Sequence, residues 1–490
     1  MNSDLAKVDY KGIFYYFEEI SKIPRGSGNE GEISDYLVAF AKEHNLEYTQ
    51  DEANNVIMIK EATPGYEDRP AIILQGHMDM VCEKKKDYTH DFLKDPIKLI
   101  VDGDYIHADG TTLGADNGIA VAYIMAMFAD DTLQHPRLEA IITTDEEVGM
   151  IGAKSLDTSS LKGRYMINLD SEEEGYLLAS CAGGITATST LPIHRVTKNG
   201  KRVKLSIGGL KGGHSGAEID KNRSNATKLL GRLLFDLRER KGFDLITMMG
   251  GFKDNVIPRE AEAELLITAT KDDDLEKEWN EIKDIITEIM GIYRQELASS
   301  EPDLKLETEN LGNGDYSVLD MISFEKVLFL LVNMPYGVQV MSADIEGLVE
   351  SSLNLGVFRI EEDQAEFMNS IRSSKDSYKH YISDKLNYMV SFLGGDYHLR
   401  NEYPAWEYKK DSKLRDQFNK IYHELYGKEM VVQAIHAGLE CGIIYDKMPG
   451  IDIVSLGPNM SGIHTIEEKL SISSSIRVYK FLERVISELQ

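Results

Sequence analysis

The stretch Ala71-Ile72-Ile73-Leu74-Gln75-Gly76-His77-Met78-Asp79-Met80 is a short apolar run that stops at a polar turn carrying an imidazole and a carboxylate. Four successive apolar residues without alternation suit a strand covered on both faces, as in a parallel sheet. The same arrangement recurs along the chain. Residues 140–142 run into Thr143-Thr144-Asp145, residues 165–169 into Asp170, and residues 451–456 into Gly457-Pro458-Asn459. Helix-like stretches separate these runs: Ile33, Leu37, Phe40 and Ala41 recur at helical spacing behind a capping-box pair, Asn29 and Glu32. Residues 119–129 are eleven apolar residues in a row, a buried helix rather than a membrane span, which needs about 20.

The texture changes near Gly184. Residues 186–190 and 201–207 read as half-exposed antiparallel strands, and residues 261–267 alternate charged and apolar side chains. Residues 225–240 carry leucines on one helical face, and residues 275–297 place Trp279, Ile282, Ile285, Ile286, Ile289 and Ile292 at spacings of three and four. Residues 299–317 read as a polar loop. Buried-strand texture returns after about Tyr403, and a final helix closes the sequence. These features predict an α/β domain built from residues 1–185 and 401–490, with an α+β domain inserted at 186–400.

A chain of 490 residues, 42% hydrophobic, buries a core large enough for two or three domains. Its formal net charge of −28 disfavours partners held through phosphates, which argues against nucleic acid and anionic membranes. The three cysteines, Cys82, Cys181 and Cys441, form no C-x-x-C pair, so neither a disulfide framework nor a cysteine zinc knuckle is expected. No secretory signal is legible at the N-terminus. A cytoplasmic protein is the expectation.

The chemistry-bearing residues lie just past the buried runs. They are His77 and Asp79; Asp116 within Gly114-Ala115-Asp116-Asn117-Gly118; Glu146 and Glu147 within Asp145-Glu146-Glu147-Val148-Gly149; Asp170; and His464 within Gly462-Ile463-His464. Carboxyl ends of strands are where open α/β sheets place ligands. Imidazoles and carboxylates without thiolates suit two Zn²⁺ or similar divalent ions, with Mn²⁺ or Co²⁺ as alternatives. A shared carboxylate can bridge two ions, an adjacent acid can accept a proton from water, and a carboxylate two residues after a histidine can orient its ring. Singly, His77 or His464 is more often a structural histidine and Glu146-Glu147 a solvated pair, while Asp116 could cap a helix starting at Asn117 and Asp170 could be a turn residue. Five such groups at successive strand ends are hard to explain as independent accidents.

Over nearly its whole length the sequence resembles the M20 family of co-catalytic metallopeptidases, with His77-x-Asp79, the Asp116 and Glu146-Glu147 motifs, Asp170 and His464 in family order. The resemblance implies that His77 and Asp170 hold one ion, Glu147 and His464 the other, and Asp116 bridges them. It implies that Asp79 orients His77, that Glu146 is general base and acid, and that the Asp116-Asn117 peptide is cis. Gly208-Gly209-Leu210-Lys211-Gly212-Gly213-His214-Ser215-Gly216 nearly imitates a phosphate loop, but His214 stands where lysine belongs. In the family a similar segment lies on an inserted lid, where its histidine stabilises the oxyanion; the bland alternative is a glycine-rich turn. Asn255 in Asn255-Val256-Ile257-Pro258 is a substrate contact or an ordinary turn residue, and Arg372 a carboxylate binder or a surface salt bridge. Residues 350–356 and 436–442 resemble the aminoacyl-histidine (Xaa-His) dipeptidase subgroup. There the glycines flanking Leu439, Gly438 among them, expose N–H groups to a substrate carboxylate or make a tight turn.

The implied function is metal-dependent hydrolysis of a short peptide, of carnosine-like Xaa-His type, in a protein that could form a homodimer. The rivals are an N-acyl amino acid amidohydrolase and a noncatalytic metal- or peptide-binding protein.

Overall fold

The computed structural model describes residues 4–269 and 274–489. The apolar runs form the centre of an eight-stranded sheet. Its order is Glu47–Gln50, Val56–Lys60, Leu138–Thr143, Ile72–His77, Tyr165–Asn168, Asp452–Ser455, Tyr176–Cys181 and Val431–Ile435. Leu138–Thr143, Ile72–His77, Tyr165–Asn168 and Asp452–Ser455 pair in parallel, whereas Glu47–Gln50, Val56–Lys60 and Tyr176–Cys181 join antiparallel. Parallel pairing explains the unbroken hydrophobicity. Ile72, Leu74, Ile167 and Val454 pack into one core with the helix Ala115–Ala129, while Ile73, Met166 and Ile453 on the opposite face pack into a second with Trp406 and Ile444.

The helix Ala115–Ala129 is the crossover from Ile72–His77 to Leu138–Thr143, and residues 117–128 are all buried. That burial is why its sequence has no polar face. Gly76 admits the helix: a Cβ there would collide with the Asn117 side chain and with Ala120. Because four neighbouring strands run the same way, their C-terminal ends share one rim. The turns that follow carry the residues singled out in the sequence.

The chain divides into two units. The first comprises the residues through Cys181 together with Trp406–Ala434 and those from Leu439 onward; the second comprises Ala182–Ala405 and Ile435–Gly438. The second unit holds a nine-stranded sheet. Its main path is Lys305–Leu319, Arg195–Gly208, Ala261–Ile267, Asp244–Gly250, Val349–Ile360, Gln364–Ser373, Gly183–Pro192 and Asp396–Tyr403, with Gly337–Met341 added alongside Val349–Ile360. Its pairings are antiparallel. The helices Ala226–Arg238, Leu275–Glu296, Met321–Asn333 and Asp376–Phe392 contribute side chains to its core. Among the described residues, no helix is long and apolar enough to cross a membrane.

Four local expectations need correction. The polar loop expected at 299–317 is largely the strand Lys305–Leu319, paired along Arg195–Gly208 with one irregularity at Arg202/Val203. It is an edge strand with most side chains in solvent, so its composition imitates a loop. The Asn29/Glu32 capping box does not form. The helix Gly31–Glu43 starts behind Glu30, whose carboxylate instead accepts from the N–H groups of Gly28 (3.0 Å) and Asp145 (3.1 Å). Asp116 does not cap the crossover helix: its backbone is non-helical (φ −79°, ψ 106°), but its carboxylate oxygens meet His77 and His464 rather than helix N–H groups. Ile292 is 44% exposed, and Tyr293 supplies the buried contact of that turn.

Leu74 is fully buried at the centre of the sheet. Leu74→Ala should destabilise the protein by about 2–5 kcal/mol through lost burial and a residual cavity. Ile292→Ala should change stability by less than about 1 kcal/mol. Urea unfolding followed by circular dichroism checks both values, and equal midpoints for the two variants would contradict the assigned core.

Candidate metal centre

The rim of the first unit gathers two imidazoles and several carboxylates. His77 ends its strand, and its Nδ1 meets Asp79 Oδ1 at 3.1 Å. Asp79 is itself fixed, accepting from Ser27 Oγ (2.8 Å), Glu146 N (3.1 Å) and Glu147 N (3.3 Å). Burial alone would raise the Asp79 pKa, but these bonds and the His77 charge hold it below the ordinary value. An anionic Asp79 keeps the proton on His77 Nδ1 and turns Nε2 outward. That Nε2 lies 3.2 Å from Asp116 Oδ1 and 3.7 Å from Asp170 Oδ1.

Asp116 faces both ways. Its Oδ2 lies 3.1 Å from His464 Nε2, which lies 2.9 Å from Glu147 Oε1. The Asp116-Asn117 peptide is cis. Asn117 ties the neighbouring segments together, since its Oδ1 accepts from His77 N (3.2 Å) and its Nδ2 donates to Leu169 O (2.8 Å). Asp145 (φ +51°) and His464 (φ +59°) adopt left-handed turns, a conformation that costs a non-glycine residue about 1–2 kcal/mol. One turn precedes Glu146 and Glu147 and the other presents the second imidazole.

Three overlapping groups have ligand atoms within 4.8 Å of one another: His77, Asp116 and Asp170; His77, Glu146 and Glu147; and Asp116, Glu147 and His464. Burial pushes Glu146 up to about 9, Asp170, Glu440 and Glu147 add to the rise, and His77 opposes it. Hydrogen bonds to Asp116 and Glu147 raise His464 to about 10. For Asp116, burial acts upward, but its bonds to His464 and His77 prevail and hold it low. The imidazoles and carboxylates of the rim are thus coupled in charge through shared hydrogen bonds. Two nitrogen donors and surrounding oxygen donors without thiolate, this closely spaced, fit a pair of borderline-hard ions.

The remaining predicted site residues lie in the second unit. Gly213–His214 pairs with Val256–Ile257, and Ser215 N donates to Asn255 O at 2.9 Å, so His214 and Asn255 occupy adjoining turns. His214 Nδ1 accepts from the N–H groups of Gly216 and Ala217, both at 3.2 Å. That leaves the ring proton on Nε2. Burial first, then the charge of Arg372, lowers the His214 pKa, so the ring is a neutral N–H donor. Arg372 is 9% exposed and donates from Nη1 to Tyr403 Oη at 3.0 Å. No carboxylate pairs with it among the described residues, so the exposed salt bridge weighed for it is absent. Gly438 belongs to the short segment Ile435–Gly438, whose Ile435 and Ala437 carbonyls accept from Ala182 N at 3.2 and 3.1 Å.

Residues that the sequence reading passed over support the rim from beneath. Glu440 Oε2 accepts from Gln75 Nε2 (2.5 Å) and Thr143 Oγ1 (2.6 Å), and burial pushes this carboxyl up to about 7. Arg25, Ser27, Glu30 and Glu468 bond to the turns that bear the predicted ligands. Only sequence position hinted at them: Arg25-Gly26-Ser27-Gly28 follows a helical stretch, and Glu468 lies one helical turn after His464.

Residues 73–488 match the family model of peptidase family M20/M25/M40. The cytosol non-specific dipeptidase of Escherichia coli (strain K12) is 37% identical over 489 residues, covering 99% of each chain. The crystal structure of aminoacylhistidine dipeptidase from Vibrio alginolyticus is similar with a TM-score of 0.93 at 34% identity, covering 100% of this chain and 99% of that one. An aminopeptidase from Bacillus cereus, at 14% identity and a TM-score of 0.57 over 98% of this chain and 99% of its own, shares the fold. The acid-and-imidazole rim thus stands in a chain whose match to a peptidase family extends from its first central parallel strand to its last helix, and the chain belongs to peptidase family M20/M25/M40.

Proposed function

We propose that this chain is a cytoplasmic dinuclear metallo-dipeptidase that cleaves unblocked dipeptides, Xaa-His among them. The family and the two full-length dipeptidase relatives support the reaction class. The observation that carries the mechanism is the state of Glu146. Asp79, Asp116 and Glu147 each engage a histidine, whereas the Glu146 carboxylate has no hydrogen-bond partner among the described residues. A carboxyl left unbonded beside the predicted ion ligands favours a proton-transfer role over binding alone.

In this reading His77 and Asp170 hold one ion, Glu147 and His464 hold the other, and Asp116 is shared. Two divalent ions, zinc by the donor chemistry and manganese or cobalt as alternatives, would polarise the scissile carbonyl and acidify water. Glu146 accepts the proton of the attacking water and returns it to the leaving amine. Asp79 keeps the His77 ring in the tautomer that presents Nε2. The second unit serves as the lid, with the neutral His214 donating its Nε2–H to the developing oxyanion. Arg372 takes the peptide carboxylate, and Asn255 and the backbone at Gly438 complete the substrate contacts.

Glu146→Gln should retain two ions by elemental analysis while kcat falls about 10²- to 10⁴-fold. A metal-loaded variant turning over at close to the wild-type rate would remove Glu146 from the role of base. A substrate panel tests the class. Free dipeptides, Xaa-His included, should be hydrolysed and their N-acylated counterparts should not; the reverse preference would make the chain an N-acyl amino acid amidohydrolase. Dialysis against a chelator should abolish hydrolysis, and added Zn²⁺, Mn²⁺ or Co²⁺ should restore it.

A further inference from the structure

Two buried charged side chains hold the turn that carries Asp116. Glu468 is 3% exposed and stands four residues after His464. Its Oε2 accepts from Leu113 N (2.7 Å) and Gly114 N (2.9 Å), and its Oε1 from Ala115 N (2.8 Å) and Asp116 N (3.2 Å). One carboxylate therefore engages four successive N–H groups at the start of the crossover helix, where such groups lack intrahelical partners and negative charge is favoured. Arg25, 2% exposed, also reaches this turn. Its Nη1 donates to Met78 O (2.9 Å) and Asp79 O (3.3 Å), and its Nη2 donates to Gly114 O. Gly114 lies in the left-handed region at φ +69°, and a Cβ there would come within 2.6 Å of both Arg25 Nη2 and Met80 Sδ.

The connectivity is specific. Arg25 joins the segment bearing His77 and Asp79 to the Asp116 turn, and Glu468 joins that turn to the segment bearing His464. We propose that Glu468 and Arg25 are positioning residues that hold the Asp116 carboxylate between the two ion sites, and that Glu468 couples occupancy of one site to the other. This rests on the dinuclear reading above. Asp116 presents Oδ1 toward His77 and Oδ2 toward His464, so a rotation of residues 113–116 would favour one imidazole at the expense of the other. Four simultaneous hydrogen bonds to Glu468 oppose that rotation. A glutamine would turn an NH₂ donor toward N–H groups that are also donors, releasing part of the turn.

The test is calorimetric titration of metal-stripped, full-length protein with Zn²⁺ in the absence of substrate, supported by far-ultraviolet circular dichroism. Wild type should take up two ions. Glu468→Gln should keep one near wild-type affinity and bind the other about 10- to 100-fold more weakly. Glu468→Asp retains the charge on a shorter stem and should fall between them; it carries the test if Glu468→Gln does not fold. Arg25→Lys, a compact charge unable to span three carbonyls, should also weaken one ion selectively. Wild-type affinity for both ions in a folded Glu468 variant overturns the proposal. So does equal weakening of both, which marks a general loss of structure. A wild-type protein that binds a single ion overturns the dinuclear reading itself, and is distinguished from failure of the coupling by the wild-type titration alone.

Discussion

Mutual repulsion among Asp79, Asp116, Glu146, Glu147 and Asp170 is the constraint around which the first unit is arranged. Each gains from a neighbouring cation, and the local cations are the two imidazoles. Their shared hydrogen bonds hold Asp116 low and His464 high, while Glu146, which lacks such a bond, is pushed up to about 9. Proton binding and charge at this rim are therefore linked. Dications binding there would compete with those protons, so ligand protonation and ion uptake are linked.

The parallel sheet places that charge where backbone dipoles can oppose it. Ile72–His77, Leu138–Thr143, Tyr165–Asn168 and Asp452–Ser455 end on one rim, and the crossover helix starts there with N–H groups that lack intrahelical partners. Those N–H groups are directed at Glu468 rather than at Asp116, while the N–H groups of Glu146 and Glu147 are directed at Asp79. Supporting carboxylates thus receive the backbone hydrogen bonds. This leaves Asp116 and Glu147 facing the imidazoles and the Glu146 carboxylate without a hydrogen bond among the described residues.

The layout of the first unit was legible because burial on both faces of a parallel strand leaves an unbroken apolar run, and each run was followed by its chemistry. Residues that act through backbone atoms were not legible. Arg25 donates to carbonyls and Glu468 accepts from N–H groups, partners that every residue possesses, so no side-chain pattern marks them. The edge strand Lys305–Leu319 escaped for a related reason, since a solvated ribbon does not need an apolar face. The Asn29/Glu32 capping box was misread because Glu30, between them, stands ahead of the helix and its carboxylate accepts both from Gly28 N and from Asp145 N, 115 residues away. The distant bond leaves no local pattern.

The net charge of −28 bears differently on the two ends of a peptide. A cationic amine is drawn toward an acidic protein and a terminal carboxylate is repelled, so recognition of the carboxylate needs a fixed cation not already neutralised. Among the described residues Arg372 has that character, being nine-tenths buried, bonded to a phenol and free of an acidic partner. Its charge also lowers the pKa of His214 and of His436, the latter to about 3 with burial as the larger cause. A single buried guanidinium thus does two things. In the proposed reading it would pair with the peptide carboxylate, and its charge, second to burial, lowers the His214 pKa, so that His214 would donate a hydrogen bond without adding a second positive charge.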